Sequence, residues 1–320
     1  MISTANSAGS YTKPYLTIDE QIARLQARGM IVPDREKAEE YLSRLGYYRL
    51  SAYWYPLRDL EGSPSTPIER FKPGSSFKTA VELYVFDKGL RLQLLDVLER
   101  IEIAIRTLVA LQIGRHDPRA HRLPALLDQR FVQNGHAEWL AKLDAKEASS
   151  KEEFANHFRR TYPMSRMPIW IAVELMDFGP LSILLSGMRR QDQAAIAYKL
   201  GVPRANLLTS WIHCLANIRN ICAHHARLWN RTLINQPKLP ASGEVPHLDH
   251  IVASPYQNRR LYCACAIARY LLLEINPRTQ WPGRLSQHLA TFPDSPLLST
   301  KTAGFPQDWN HLPLWTANQT

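Results

Sequence analysis

The stretch FKTAVELYVFDKGLRLQLLDVLERIEIAIRTLVALQI, residues 77–113, decides the fold class. Leu90, Leu94, Val97, Ile101, Ala104, Leu108 and Leu111 recur at spacings of three and four, which draws one apolar face along a single long helix. On another face Glu99, Glu102 and Arg106 stand at i, i+3 and i+7 and line up. That charged stripe has two readings, a solvated row of ion pairs or a support for a basic helix packed opposite, and spacing alone leaves both open.

On the N-terminal side the punctuation is helical. Thr17 can cap a helix carrying Ile18, Ile22 and Leu25 that Gly29 stops, and Asp34 can cap a second one carrying Ala38, Tyr41, Leu42 and Leu45 that Gly46 ends. An aromatic cluster, Tyr47, Tyr48, Tyr53, Trp54 and Tyr55, follows, and EGSPSTPIERFKPGSS, residues 61–76, is a loop by composition. On the C-terminal side, residues 118–124 form a connector. Weaker helices are expected near 136–147, 150–160, 168–186 and 190–200. Residues 207–229 are expected to be helical, with Leu208, Trp211, Leu215, Ile218 and Cys222 on one face. Residues 235–257 are rich in proline and polar groups, and a strong helix is expected at about 258–275. No segment alternates with period two for long, so the expected fold is all-α. The expected divisions are a disordered lead at 1–12, a small helical unit and linker at 13–76, a helical bundle at 77–235, and a loop, helix and Pro/Trp-rich tail packed on the bundle at 236–320.

The composition, 45% hydrophobic and 21% charged over 320 residues, is that of a globular chain with a sizeable core rather than a disordered one. Lys and Arg number 39 against 29 Asp and Glu, a net charge of +10, which favours a polyanionic partner. The distribution sharpens this. Residues 193–243 contain no acidic side chain but carry Lys199, Arg204, Arg219, Arg227, Arg231 and Lys238, with His213, His224 and His225 among them. Such a stretch makes a field in which a phosphate can sit, unless acidic residues from elsewhere neutralise it. Four cysteines are too few for a disulfide scaffold. The start MISTANSAGS lacks the apolar core of a secretory signal, and the apolar segments at 101–113 and 263–275 are interrupted by Arg106 and Arg269. A cytoplasmic, reducing location with no membrane association is expected. Gly-rich phosphate loops, kinase motifs and hydrolase elbows are absent from the sequence.

Arg219-Asn220-Ile221-Cys222-Ala223-His224 sets a permanent cation five residues before a titratable imidazole. RNA carries its own nucleophile, the 2′-hydroxyl, beside each phosphate. Cutting it needs a base for that proton, an acid for the 5′ oxygen, and positive charge for the phosphorane. Histidine can serve as acid or base near neutral pH, and arginine presents a planar fork to phosphate oxygens. Chemistry of this kind requires no cofactor or metal. On an ideal helix, positions five apart stand roughly 140° apart, whereas Asn220 and His224 are close. Arg219 and His224 of one helix are therefore a poor acid–base pair, and the argument favours a composite site in a homodimer. By spacing alone the same residues also read as a capped helix end or as side chains bonded to backbone. His225, Arg227 and Arg231 can hold RNA phosphates or answer the helix dipole. Trp229 can stack on a base, although burial in the core is the expected role. The group His213, Cys214, Cys222, His224 and His225 matches no zinc-finger spacing, and no metal site is expected.

The stretch RNICAHHARLWNR, residues 219–231, resembles the signature of the Abi-like family (AbiD/AbiF type) of bacterial abortive-infection proteins. Further blocks resemble that family in the same order: KPYLTIDEQIARLQARGM at 13–30, LGYYRLSAYWYPLR at 45–58, YVFDKGLR at 84–91, ERIEIAIRT at 99–107 and MPIWIAVELMDFGPLS at 167–182. The tail GFPQDWNHLPLW is similar too. The resemblance implies membership of the HEPN superfamily, helical and often dimeric, many of whose members are metal-independent ribonucleases with an Arg-x4–6-His motif at the dimer interface. It implies Arg219 and His224 as catalytic, Asn220 as the polar residue after the arginine, and Arg106 and Glu102 as supports. The expected activity is an endoribonuclease of phage defence leaving 2′,3′-cyclic phosphate and 5′-hydroxyl ends. An unrestrained enzyme of this kind is a toxin to its host, so the resemblance also implies a silent state held by an antitoxin RNA or protein or by autoinhibition. The alternative is a non-catalytic RNA-binding or partner-sensing protein of the same fold.

Overall fold

A computed structural model describes residues 14–59, 70–254 and 256–317. The expected lead at 1–12 and most of the loop at 61–76 lie outside the described residues. The chain is 67% helical and has no strand among the described residues, which makes the fold all-α. In chain order the helices are α1 (Ile18–Ala27), α2 (Arg35–Leu45), α3 (Tyr47–Trp54), α4 (Phe77–Gly114), α5 (Gln129–Asn134), α6 (His136–Ser149), α7 (Glu153–Thr161), α8 (Ile169–Ala172), α9 (Phe178–Gly187), α10 (Arg190–Lys199), α11 (Ala205–Ala223), α12 (Asp249–Val252), α13 (Leu261–Ile275), α14 (Trp281–Leu289) and α15 (Pro313–Thr316). They fall into two compact units, Met1–Val85 with Pro293–Leu298, and Phe86–Phe292 with Ser299–Thr320. The division falls within α4.

In the first unit the local signals act as read. Thr17 and Glu20 form a reciprocal capping box at the start of α1, and Asp34 accepts from the Lys37 backbone at the start of α2. Gly29 and Gly46 follow the two helices at φ +91° and +81°, values that a side chain disfavours. The helices close over Ile22, Leu25, Leu42, Leu50, Trp54 and Phe77. Of the aromatic cluster, Tyr53 and Trp54 are buried, Trp54 edge-on to Tyr47 at 5.0 Å, while Tyr48 is exposed.

In the second unit α11 packs against α9, α10 and α13. Its largest departure from the expected pattern is in α4. The buried row runs Leu90, Leu94, Val97, Leu98, Ile101, Ile105, Val109 and Ile113, while Leu111 is 63% exposed and Ala104 and Leu108 are half-buried. The expected row followed a strict seven-residue repeat, from which a straight α-helix drifts by about 20° per heptad. Over a helix of 38 residues the drift carries the row off Leu111 and onto Val109 and Ile113.

Two further expectations are corrected. The helix expected at 168–186 is interrupted: α8 tightens into a 3-10 turn at Val173–Leu175, Met176 and Asp177 are extended, and α9 starts afresh at Phe178. The helix expected at 207–229 stops at Ala223. Both breaks serve the site described below. The drift of the buried row is testable by denaturant unfolding. Ile105→Ala should cost about 2–5 kcal/mol, whereas Leu111→Ala should stay within about 0.5 kcal/mol of wild type. Equal costs would restore the heptad row.

Candidate functional site

Helix α11 buries Leu207, Leu208, Trp211, Ile212, Leu215 and Ile218 and carries Arg219 and Asn220 in its last turns. It terminates in a paired hydrogen-bond motif: the N–H of His225 donates to Cys222 O at 3.0 Å and that of Ala226 to Ile221 O at 3.0 Å. His225 takes the left-handed conformation, φ +55°, at the place usually held by glycine. His224 is thus the capping residue, its N–H bonded to Asn220 O at 2.9 Å. The His224 side chain is exposed, and its imidazole makes no hydrogen bond or ion pair among the described residues.

The helix cannot continue because the next backbone donors are taken by α4. Asp87, fully buried, accepts from Trp229 N at 2.7 Å through Oδ1 and from Leu228 N at 3.1 Å through Oδ2. Arg91, one turn on and also buried, donates from Nη1 to Asp87 Oδ2 at 2.5 Å and reaches Ala226 O at 3.4 Å. Trp229 turns its ring edge-on to Phe86 at 5.3 Å and is buried, the expected core role. Phe86 in turn stacks on His288 at 4.7 Å, and a Cβ at Gly89 would stand 2.4 Å from His288 Cε1, so the helix has a glycine where that ring lies.

Around Arg219 the two faces of the sequence reading meet. Its Nε lies 3.4 Å from Glu102 Oε2, and the other oxygen of Glu102 binds Arg106 Nη2 at 2.5 Å. Arg106 also donates to Met176 O at 2.8 Å and lies 3.5 Å from Glu174, both in the break before α9. Arg219 Nη1 approaches Asn220 Oδ1 at 3.4 Å. Asn220 faces α9 where Gly179 lies, a Cβ there standing 4.0 Å from Asn220 Nδ2. The structure therefore gathers Arg219, Asn220, Glu102 and Arg106. It does not bond Arg219 to His224. Past the helix end His225 is exposed, and Arg227 and Arg231 are half-buried.

The cation-rich stretch is neutralised in part. Arg204 pairs with Glu244 at 2.6 Å and Arg219 with Glu102, while Lys199, Arg231 and Lys238 make no ion pair among the described residues. The four cysteines are buried, unpaired thiols. Desolvation pushes Cys214 and Cys222 up to about 12, so neither offers a thiolate at neutral pH. No group of three His, Cys, Asp or Glu side chains that could hold a metal is gathered among the described residues. No helix among them is long and apolar enough to cross a membrane.

Sequence reasoning missed Asp87, Arg91, Glu174 and Met176. The signal for the first two was present: opposite charges at i and i+4 on a long helix, the spacing of an intrahelical ion pair. Nothing local marks Met176, which contributes only a carbonyl.

A family model described as an Abi-like protein matches residues 40–230, more than half of the chain. The chain belongs to the Abi-like family. Neither the curated proteins nor the solved structures gave a match. The Abi-like match takes in Asp87, Arg91, Glu102, Arg106, Arg219 and His224, and leaves outside it the block at 13–30 and the tail.

Removing the carboxylate that pins the turn should be severe. Asp87→Ala takes the buried anion from Arg91 and the acceptor from two backbone donors, and should cost about 3–5 kcal/mol in urea unfolding. Adding Arg91→Leu should return part of that loss. A single variant within 1 kcal/mol of wild type would show that another group holds the turn.

Proposed function

We propose that this Abi-like protein is a metal-independent endoribonuclease of abortive-infection defence. The observation that carries the reading is the state of the two motif side chains. Arg219 is held at its Nε edge by a buried carboxylate, and its Nη2 makes no bond among the described residues. His224 stands exposed at the end of the same helix with its imidazole unengaged. A guanidinium fixed at one edge and open at the other suits a phosphate oxygen, and an unengaged imidazole suits proton transfer.

In the proposed reaction the substrate 2′-oxygen forms a bond to the adjacent phosphorus as its proton passes to a base. The bond from phosphorus to the 5′ oxygen breaks as that oxygen takes a proton from an acid. The products are a 2′,3′-cyclic phosphate and a 5′-hydroxyl. His224 is the acid or the base, Arg219 stabilises the phosphorane, and Asn220 orients the substrate or His224. One imidazole per chain supplies one of the two proton transfers, so the other comes from His224 of a second copy in a homodimer. Glu102 and Arg106 set the position of Arg219, and His225, Arg227 and Arg231 offer further phosphate contacts. The family suggests a silent state until infection, held by an antitoxin RNA or protein or within the chain itself.

The test is digestion of total RNA in EDTA by wild type, His224→Ala and Glu102→Gln, with the new ends assayed for cyclic phosphate. Wild type should cut, His224→Ala should lose about 100-fold or more in rate, and Glu102→Gln should cut more slowly while still binding RNA. Cutting by His224→Ala at the wild-type rate would remove His224 from the chemistry. Binding by wild type without cutting, with or without cell extract, would favour the non-catalytic RNA-binding protein.

A further inference from the structure

A cavity of about 570 Å³ in the same unit as the Arg219 cluster is lined by Met176, whose carbonyl accepts from Arg106 of that cluster. Its walls are the rings of Phe131 and Trp139 with Leu143, Leu175, Met176 and Ile183. The walls are fixed. Trp139 Nε1 donates to Pro180 O at 3.0 Å, and a Cβ at Gly187 would stand 2.2 Å from Phe131 Cδ1, so only the bare glycine admits that ring against α9. The charged groups at the rim cancel: Lys142 pairs with Glu138 at 2.6 Å and Lys146 with Asp177 at 2.6 Å. Beside it a second cavity of about 660 Å³ shares Lys146, Leu175, Met176 and Asp177 and reaches Arg106.

The break before α9 is the wall between the two regions. Met176 gives its carbonyl to Arg106 and lines the cavity, while Gly179 faces Asn220 and Pro180 lines the cavity. A ligand with a charged group at Arg219 and a flat group in the cavity therefore has to pass the Met176–Pro180 segment. The two places differ in chemistry as the two parts of a nucleotide do. The phosphate finds arginines, and the base finds two aromatic rings in an apolar, electrically balanced pocket. Base–aromatic stacking tolerates any base face, whereas a phosphate in such a pocket would be desolvated without a free cation.

We infer that this cavity is the subsite for one unpaired nucleobase of the RNA, neighbouring the phosphate that is cut. The inference rests on the nuclease reading, and it names the substrate class for it: RNA that is single-stranded at the site of cutting. Duplexed RNA, whose bases stay stacked, could not fill the pocket.

The experiment uses the His224→Ala protein, expected to hold RNA without cutting it. Single-stranded RNA of about 12 nucleotides carries one 8-azidoadenosine, walked along the oligomer, and is irradiated in the complex. Crosslinked peptides are read by mass spectrometry. One position should crosslink to residues 131–146 or 175–183, and a fully paired hairpin should not. In the same protein Ile183→Trp, at a half-exposed position on the cavity wall, should abolish that crosslink and weaken binding about tenfold, with an unchanged circular-dichroism melt. RNA that binds but crosslinks only elsewhere, whichever variant is used, would overturn the subsite and leave the nuclease reading standing. RNA neither bound nor cut by the wild-type protein, even with cell extract, would overturn both.

Discussion

The carboxylate of Asp87 governs where the motif segment goes. A lone charge in an apolar interior costs several kcal/mol, and the fold meets that cost with Arg91 and with the two backbone N–H groups of Leu228 and Trp229. Those N–H groups would otherwise extend α11 by hydrogen bonding to carbonyls one turn back. Given to Asp87 instead, they force the chain to leave the helix at Ala223 and pass through a left-handed residue at His225. Without this lock His224 would be an ordinary helical position. With it, His224 is the last residue before a turn anchored by a buried ion pair, and its backbone is fixed on both sides.

A second carboxylate organises the arginines. Glu102 is almost fully buried, at 7% side-chain exposure, and divides its two oxygens between Arg106 and Arg219. One anion between two cations leaves positive charge over, which Glu174 offsets only from a distance of 3.5 Å and from a half-exposed position. Arg106 is further committed to the Met176 carbonyl, and its buried Nε has no hydrogen-bond partner among the described residues. Arg219, 28% exposed, is the member of the cluster that solvent or a ligand can reach. The interrupted α8–α9 segment is what makes this possible, because a continuous helix would have spent the Met176 carbonyl on its own ladder.

What was legible in the sequence follows the range of the interaction behind it. Thr17, Gly29, Asp34 and Gly46 act within a few residues of themselves, and each starts or stops a helix where its chemistry says it should. The long helix was legible from periodicity, yet the phase of its buried row was not, since a small angular drift accumulates over ten turns. The end of α11 depends on a residue 141 positions earlier in the chain, a partner that no local pattern reveals. The site divides in the same way. Arg219, Asn220 and His224 were visible as a short motif and through resemblance. Glu102 and Arg106 were visible only as an aligned stripe with two readings, and it is the Glu102–Arg219 contact that makes the stripe more than a solvated row.

The bearings of the motif residues are what turns the proposed mechanism towards two chains. Arg219 turns to α4 and Glu102, while Asn220, one position on, turns to Gly179 on α9. His224 caps the helix end with its side chain exposed. At about 100° per residue, Asn220 stands one step round the helix from Arg219 and His224 some 140° from it, so the arginine and the histidine leave the helix on different bearings. Here the backbone bends only after His224, in the turn that Asp87 holds. The arginine and the histidine of one chain are therefore both reachable from solvent but do not form a closed pair. A second such end, brought against the first by a two-fold axis, would place each histidine near the other chain's arginine, and this is the physical reason why a homodimer belongs in the proposed mechanism.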